Sequence, residues 1–170
     1  NKVVLIGIGT AGRSALDEAI KLKLPVIAVV SNNITAKELN NSGIKSCCID
    51  KTLPLAHQQQ TIANIISDAD IVITTARRAG QPAPLLIPKS TLDAMKPYAV
   101  VVDLAISEGG NVHGSKHDET IRTNNNVLIT NVSGYPKIMP NIASELWSKA
   151  SLHFILALAK DKKLAALAPC

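Results

Sequence analysis

Aromatic residues are almost missing from this chain, which has one Phe, one Trp and two Tyr in 170 positions. With so few rings, the core has to be filled by Val, Ile, Leu and Ala, a composition suited to strands covered on both faces by helices. Cysteine is also scarce. Cys47, Cys48 and Cys170 are odd in number and show no CxxC spacing, which excludes a disulfide framework or a thiolate zinc site and fits a reduced compartment. No apolar run approaches the ~18 residues of a membrane span, the longest candidate being FILALA at 154–159, so the chain reads as soluble. The 18 Lys and Arg are scattered, without aromatic interleaving, and the net charge of +5 is therefore not a nucleic-acid footprint. No Met or leader precedes the first apolar run, KVVLI, so the chain is expected to be a piece of a longer polypeptide.

What is present is an alternation of two periods. Strand-length apolar runs are expected at 2–6, 25–30, 44–49, 71–75, 98–105 and 127–132, and helical spacing at 16–23, 35–41, 55–67, 91–95 and 141–160. Between 76 and 88 lies a Gly- and Pro-rich loop, RRAGQPAPLLIP from Arg77 onward, the natural binding loop. The order βαβαβ followed by βαββα predicts an α/β fold, a doubly wound parallel sheet of Rossmann type, in which ligands bind beyond the carboxyl ends of the strands. Residues 1–140 are expected to form that domain and 141–170 a C-terminal helix.

Directly after the first run stands Gly7-Ile8-Gly9-Thr10-Ala11-Gly12. In a G-x-G-x-x-G pattern between strand and helix, the first Gly allows the tight turn and the second lets the backbone approach a pyrophosphate. The third lets helix and strand pack closely, and the helix N-terminus faces the phosphates. The second strand of such a fold usually ends in an Asp or Glu for the adenosine ribose. Here it ends Val30-Ser31-Asn32-Asn33, which offers neutral hydrogen bonds only and does not repel a 2′-phosphate. Lys37, Arg77 and Arg78 are candidate partners for such a phosphate, each equally readable as a solvated surface cation.

Three later stretches carry a resemblance. DIVITTARRAGQPAPLLIP, MKPYAVVVDLAISEGGN and NVSGYPKIMPNIAS are similar, in order, to segments of the superfamily of alanine dehydrogenases and proton-translocating NAD(P) transhydrogenases. With the glycine loop they cover nearly the whole chain. The resemblance implies NAD as cofactor, with Gly7, Gly9, Thr10, Ala11 and Gly12 at the pyrophosphate and Ser31, Asn32 and Asn33 at the ribose. Thr75, Ala76, Arg77, Leu104, Ala105 and Tyr135 would stand on the nicotinamide side. Arg77 and Arg78 occupy positions that are usually apolar in the superfamily.

Ser107 separates the two branches of the superfamily. Alanine dehydrogenases carry an Asp two positions before the paired glycines, where a carboxylate steadies the substrate amine, and Ser107 cannot do so. Glu108, one position later, could be a shifted acid but reads as a solvated loop residue. The resemblance thus implies the NAD(H)-binding domain of a transhydrogenase, which needs no catalytic residue of its own. It would hold NAD(H) for direct hydride transfer with NADP(H) on another domain, coupled to proton translocation by membrane partners, at the cytoplasmic or matrix face of the membrane. The rivals are an alanine dehydrogenase-like amino-acid dehydrogenase and a truncated, non-catalytic NAD-binding module.

His113 and His117 stand beside Asp118 and Glu119, but Gly114 between them gives no helix period and no third ligand is placed, so no metal is expected. In 141–160 the positions Ile142, Leu146, Ala150 and Phe154 make one apolar stripe, and Leu152, Ile155, Leu156 and Leu158 widen it. The superfamily returns here to a flanking domain outside this chain, so the uncovered face is expected to drive homo-oligomer formation.

Overall fold

Val3-Val4-Leu5-Ile6 is buried along its whole length, the mark of a strand with no solvent face. In the computed structural model, which describes residues 1–77, 80–132 and 134–160, it is β1 (Val3–Ile6) and sits centrally. The chain continues through α1 (Thr10–Lys21), β2 (Val26–Val30), α2 (Asn33–Asn41), β3 (Lys45–Cys48), α3 (Leu55–Ile66), β4 (Ile71–Thr74), α4 (Lys89–Ala94) and β5 (Val100–Asp103). After a short 3-10 turn at Ile106–Glu108 come β6 (Glu119–Arg122), β7 (Leu128–Asn131), α5 (Tyr135–Ile138) and α6 (Pro140–Lys160). The sheet order is β3-β2-β1-β4-β5-β7-β6, and every pair is parallel except β6 with β7.

The core lies on both faces, as a nearly ring-free composition requires. Val3 and Leu5 pack with Leu16, Ala36 and Leu39 of α1 and α2. Val4 and Ile6 pack with Ile62, Ile66, Leu92 and Met95 on the α3 and α4 side. Because the chain crosses from β3 to β4 over β1 and β2, β1 and β4 become paired neighbours, and the connections leaving their carboxyl ends run to opposite faces of the sheet, leaving a crevice at the switch point.

At the opposite end of the strands, Asp70 accepts hydrogen bonds from the Lys2 amide and the Lys96 ammonium, and Lys2 pairs with Asp68. The Lys96 bond is the larger cause, with the Lys2 amide next, of an Asp70 carboxyl held below the ordinary aspartate range, and the Lys2 side chain does the same to Asp68. A depressed folded-state pKa contributes stability that is present above the unfolded value and lost as pH falls through the folded one. Asp70→Asn is therefore expected to flatten the decline of unfolding stability below about pH 4, measured by urea denaturation across an acid series. A parallel decline in parent and variant would contradict it.

One feature differs from the sequence reading. β6 was not expected, because Glu-Thr-Ile-Arg is short and mostly exposed and shows no buried face. Residues 113–118 form turns leading into it, with Gly114 at φ +75° and the His113 amide bonded to Ile87 O, so the two histidines do not share a helix face. By its contacts the chain divides into two units, the first being Asn1–Val132. In the second, α6 starts at Pro140 and leaves Ile142, Leu146, Trp147, Phe154, Ile155 and Leu156 exposed. Among the described residues no helix is long and apolar enough to cross a membrane.

Candidate functional site

The crevice at the switch point opens into a cleft of about 690 Å³, lined by Gly7, Gly9, Thr10 and Ala11 of the glycine loop, Ser31, Asn32 and Thr35 after β2, Lys51 after β3, and Thr75, Ala76 and Arg77 after β4. Its floor and far wall are apolar, with Ile6, Val29, Ile49, Ile62 and Leu86.

The three glycines of the loop do different things. Gly7 takes φ +93°, in the left-handed region that favours glycine, and its amide bonds to Val29 O. Gly12 is buried against the strand, where a Cβ would stand 2.0 Å from Gly7 O and 2.9 Å from the Thr75 hydroxyl. That hydroxyl donates to Gly7 O and so locks β4 to the turn. Gly9 has an ordinary extended backbone as N-cap of α1, and a Cβ there would meet nothing within 4 Å. Its bareness leaves room in the cleft instead of relieving a clash within the fold. α1 begins without a side-chain cap and without an acidic residue in its first turn, so its unpaired N–H groups and positive dipole end are available to an anion. A pyrophosphate fits this cradle.

The side of the cleft formed by the loops after β4 and β5 is held by a buried polar relay. Asp103 is fully buried, and its carboxyl oxygens accept from the amides of Ala105, Asn111 and Val112 at 3.0, 3.0 and 3.2 Å and from the Thr74 hydroxyl at 3.1 Å. Asn111, also fully buried, accepts from the Ala76 amide at 3.1 Å and donates to Ala76 O at 3.0 Å and Pro84 O at 2.9 Å. Two residues of the cleft wall are thus fixed through one amide side chain. Gly110 must be glycine here, since φ is +81° and a Cβ would lie 2.8 Å from Asp103 Oδ2.

Residues 1–169 match the family described as alanine dehydrogenase/PNT, C-terminal domain. The chain belongs to that family. It is 30% identical over 176 residues to NAD(P) transhydrogenase subunit alpha of Haemophilus influenzae, covering 95% of this chain and 34% of that protein. It is 26% identical over 178 residues to alanine dehydrogenase of Bacillus subtilis, covering 98% and 44%. The chain therefore spans about a third to somewhat under half of these relatives. Among solved structures it is similar to transhydrogenase from Sinorhizobium meliloti, with a TM-score of 0.73, 31% identity and coverage of 91% and 43%. An L-alanine dehydrogenase structure, with a TM-score of 0.72 at 24% identity, covering 95% and 44%, shares the fold.

Nine of the residues expected for an alanine dehydrogenase/PNT domain line the cleft: Gly7, Gly9, Thr10, Ala11, Ser31, Asn32, Thr75, Ala76 and Arg77. Gly12, Asn33, Leu104 and Ala105 do not line it. Gly12 packs beneath the loop, Asn33 starts α2, Leu104 O accepts from the Arg77 guanidinium, and Ala105 is buried behind. Tyr135 begins α5 in the second unit.

Ser107 is exposed, and Glu108 is a loop residue with 34% of its side chain exposed. Glu108 is half-buried and takes Arg77 at 3.0 Å on one oxygen and the Ser107 hydroxyl at 2.7 Å on the other. Its carboxylate is engaged in bracing the β4 and β5 loops. Arg77, after β4, is correspondingly tied to the loop after β5, Lys37 is exposed on α2 outside the lining, and Arg78 lies outside the described residues.

Sequence reasoning missed Lys51, Asp103 and Asn111. An Asp closing the buried run VVVD, followed eight positions later by an Asn after paired glycines, was the available sign of the last two. Lys51 reaches the cleft only through the register of β3 on β2.

Proposed function

We propose that this chain is the NAD(H)-binding domain of an NAD(P) transhydrogenase, holding the dinucleotide for direct hydride transfer with NADP(H) on another domain. The observation that carries the reading is Gly9: a bare N-cap facing open cleft, at the uncapped N-terminus of α1, at the β1/β4 switch point. The bound nicotinamide supplies the hydride chemistry, and the protein's part is positioning. The α1 amides take the pyrophosphate, Ser31 and Asn32 the adenosine ribose, and the Asp103–Asn111 relay holds Ala76 still beside the nicotinamide. Ser107, with Glu108 engaged by Arg77, supports this reading over an amino-acid dehydrogenase, whose substrate amine needs a carboxylate. The transhydrogenase names of the relatives from Haemophilus and Sinorhizobium support it as well. Coupling to proton movement would then lie in membrane partners, with this domain at the cytoplasmic or matrix face.

Titration of the chain with NADH, followed by nicotinamide fluorescence, is expected to saturate, and L-alanine with NAD is expected to give no NADH. Absence of binding overturns the reading, and alanine-dependent reduction transfers it to the dehydrogenase branch.

We also propose that the exposed apolar residues of α6 promote association of the chain with itself. Leu156→Glu combined with Leu158→Glu is expected to shift sedimentation toward the monomer. A parent chain that already sediments as a clean monomer at high concentration contradicts this.

A further inference from the structure

In a doubly wound fold the turn after the second strand meets the adenosine ribose, and an acid there both accepts the ribose hydroxyls and repels a 2′-phosphate. Here β2 runs into exposed Ser31 and Asn32, and no carboxylate is found among the residues that line the cleft. Asn32 Oδ1 is already committed, accepting the Ile34 amide at 2.8 Å as the cap of α2, which leaves the amide nitrogen as the side chain's donor. Two cations line the cleft. Arg77, after β4, is held by Glu108 and Leu104 O, both after β5, whereas the Lys51 ammonium has no ion pair among the described residues.

The register places Lys51 at the ribose corner. Val30 pairs with Cys48 and the Ile49 amide donates to Val30 O at 2.7 Å, so the chain leaving β3 passes alongside the start of the Ser31-Asn32 turn. The neighbouring carboxylate, Asp50, makes no ion pair with Lys51 among the described residues. Asp50 Oδ1 accepts from the Thr52 hydroxyl at 2.6 Å and the Thr52 amide at 2.8 Å, bonds that hold its carboxyl below the usual aspartate range, and Asp50 is not part of the lining. The corner therefore presents a hydroxyl, an amide donor and an unpaired ammonium, the donor set for a phosphate dianion.

We infer that this corner accepts a 2′-phosphate, with Lys51 as its charged partner, so that NADP(H) is a ligand of the cleft alongside NAD(H). The inference rests on the dinucleotide reading above and assigns the specificity of the same site.

The test is paired titration of the parent chain, Lys51→Ala, Lys51→Arg and Ser31→Asp with NADH and with NADPH, read as the ratio of the two dissociation constants. NADPH is expected to bind the parent within about threefold of NADH. Lys51→Ala should shift the ratio against NADPH by about tenfold, the loss of one exposed charge-assisted contact. Lys51→Arg should restore it. Ser31→Asp should shift it the same way as Lys51→Ala by restoring the acid at the end of β2. Matching urea denaturation midpoints establish that the variants are folded. NADH binding without NADPH binding overturns the inference and leaves the dinucleotide reading intact. A ratio that Lys51→Ala does not move overturns the assignment of the phosphate to Lys51. Binding of neither nucleotide to the folded parent overturns both.

Discussion

Gly9→Val is expected to abolish NADH binding, by about a hundredfold or more in Kd, while the protein stays folded. The two halves of this expectation have separate causes. The Gly9 backbone lies at φ −79°, ψ −163°, extended geometry that any residue adopts, and a Cβ there touches nothing in the protein. The stability cost is that of a poorer N-cap, about 1 kcal/mol or less. The open space is the cleft itself, however, and an isopropyl group projecting from the N-cap of α1 stands where a pyrophosphate must come within hydrogen-bond reach of the first-turn amides. NADH titration by fluorescence and urea unfolding of the same sample check both halves. A valine variant that binds as well as the parent would mean that the glycine loop is not the phosphate cradle. Gly12→Ala provides the contrast within the same motif, since a Cβ 2.0 Å from Gly7 O forces α1 off the strand and acts on folding first.

Asp103→Ala is expected to lower unfolding stability by about 3–5 kcal/mol, a large part of the 5–15 kcal/mol typical of a domain. The substitution removes the acceptor of three buried amides, Ala105, Asn111 and Val112, and of the Thr74 hydroxyl. Each buried donor left unpaired costs about 1–3 kcal/mol. Its effect should reach the cleft too, because Asn111, whose amide Asp103 fixes, holds Ala76 and Pro84 in place. Urea denaturation gives the stability change, and NADH titration below the transition gives the loss of affinity in the population that remains folded. A loss of less than about 1 kcal/mol would show that water or a relaxed loop satisfies those amides, and that the relay does not organise the wall.

The parallel sheet was legible because its strands are buried on both faces: KVVLI, PVIAVV, DIVIT and YAVVVD are unbroken apolar runs, and the helices between them keep a separate period. β6 was not legible for the converse reason. Glu119 and Arg122 are exposed and only Ile121 is half-buried, so the strand exists through its pairing with β7 and not through its own pattern. The same distinction runs through the cleft. Gly7, Gly9 and Gly12 could be read directly because a contiguous motif fixes them. Lys51 depends on how β3 registers against β2. The Arg77–Glu108 brace joins residues 31 positions apart, and a surface-like pair at that separation carries no sequence period. Gly12 and Ala105 lie behind the cleft lining, a placement that only packing decides.

In the proposed function a nicotinamide dinucleotide lies across the β1/β4 switch point with its phosphates on α1. Backbone amide NMR of the 18.0 kDa chain during NADH titration tests it most directly. Saturable shifts are expected to concentrate at Gly9, Thr10 and Ala11, at Ser31 and Asn32, and at Thr75, Ala76 and Arg77. Saturable shifts elsewhere with those amides unmoved, or no shifts at all, would contradict it.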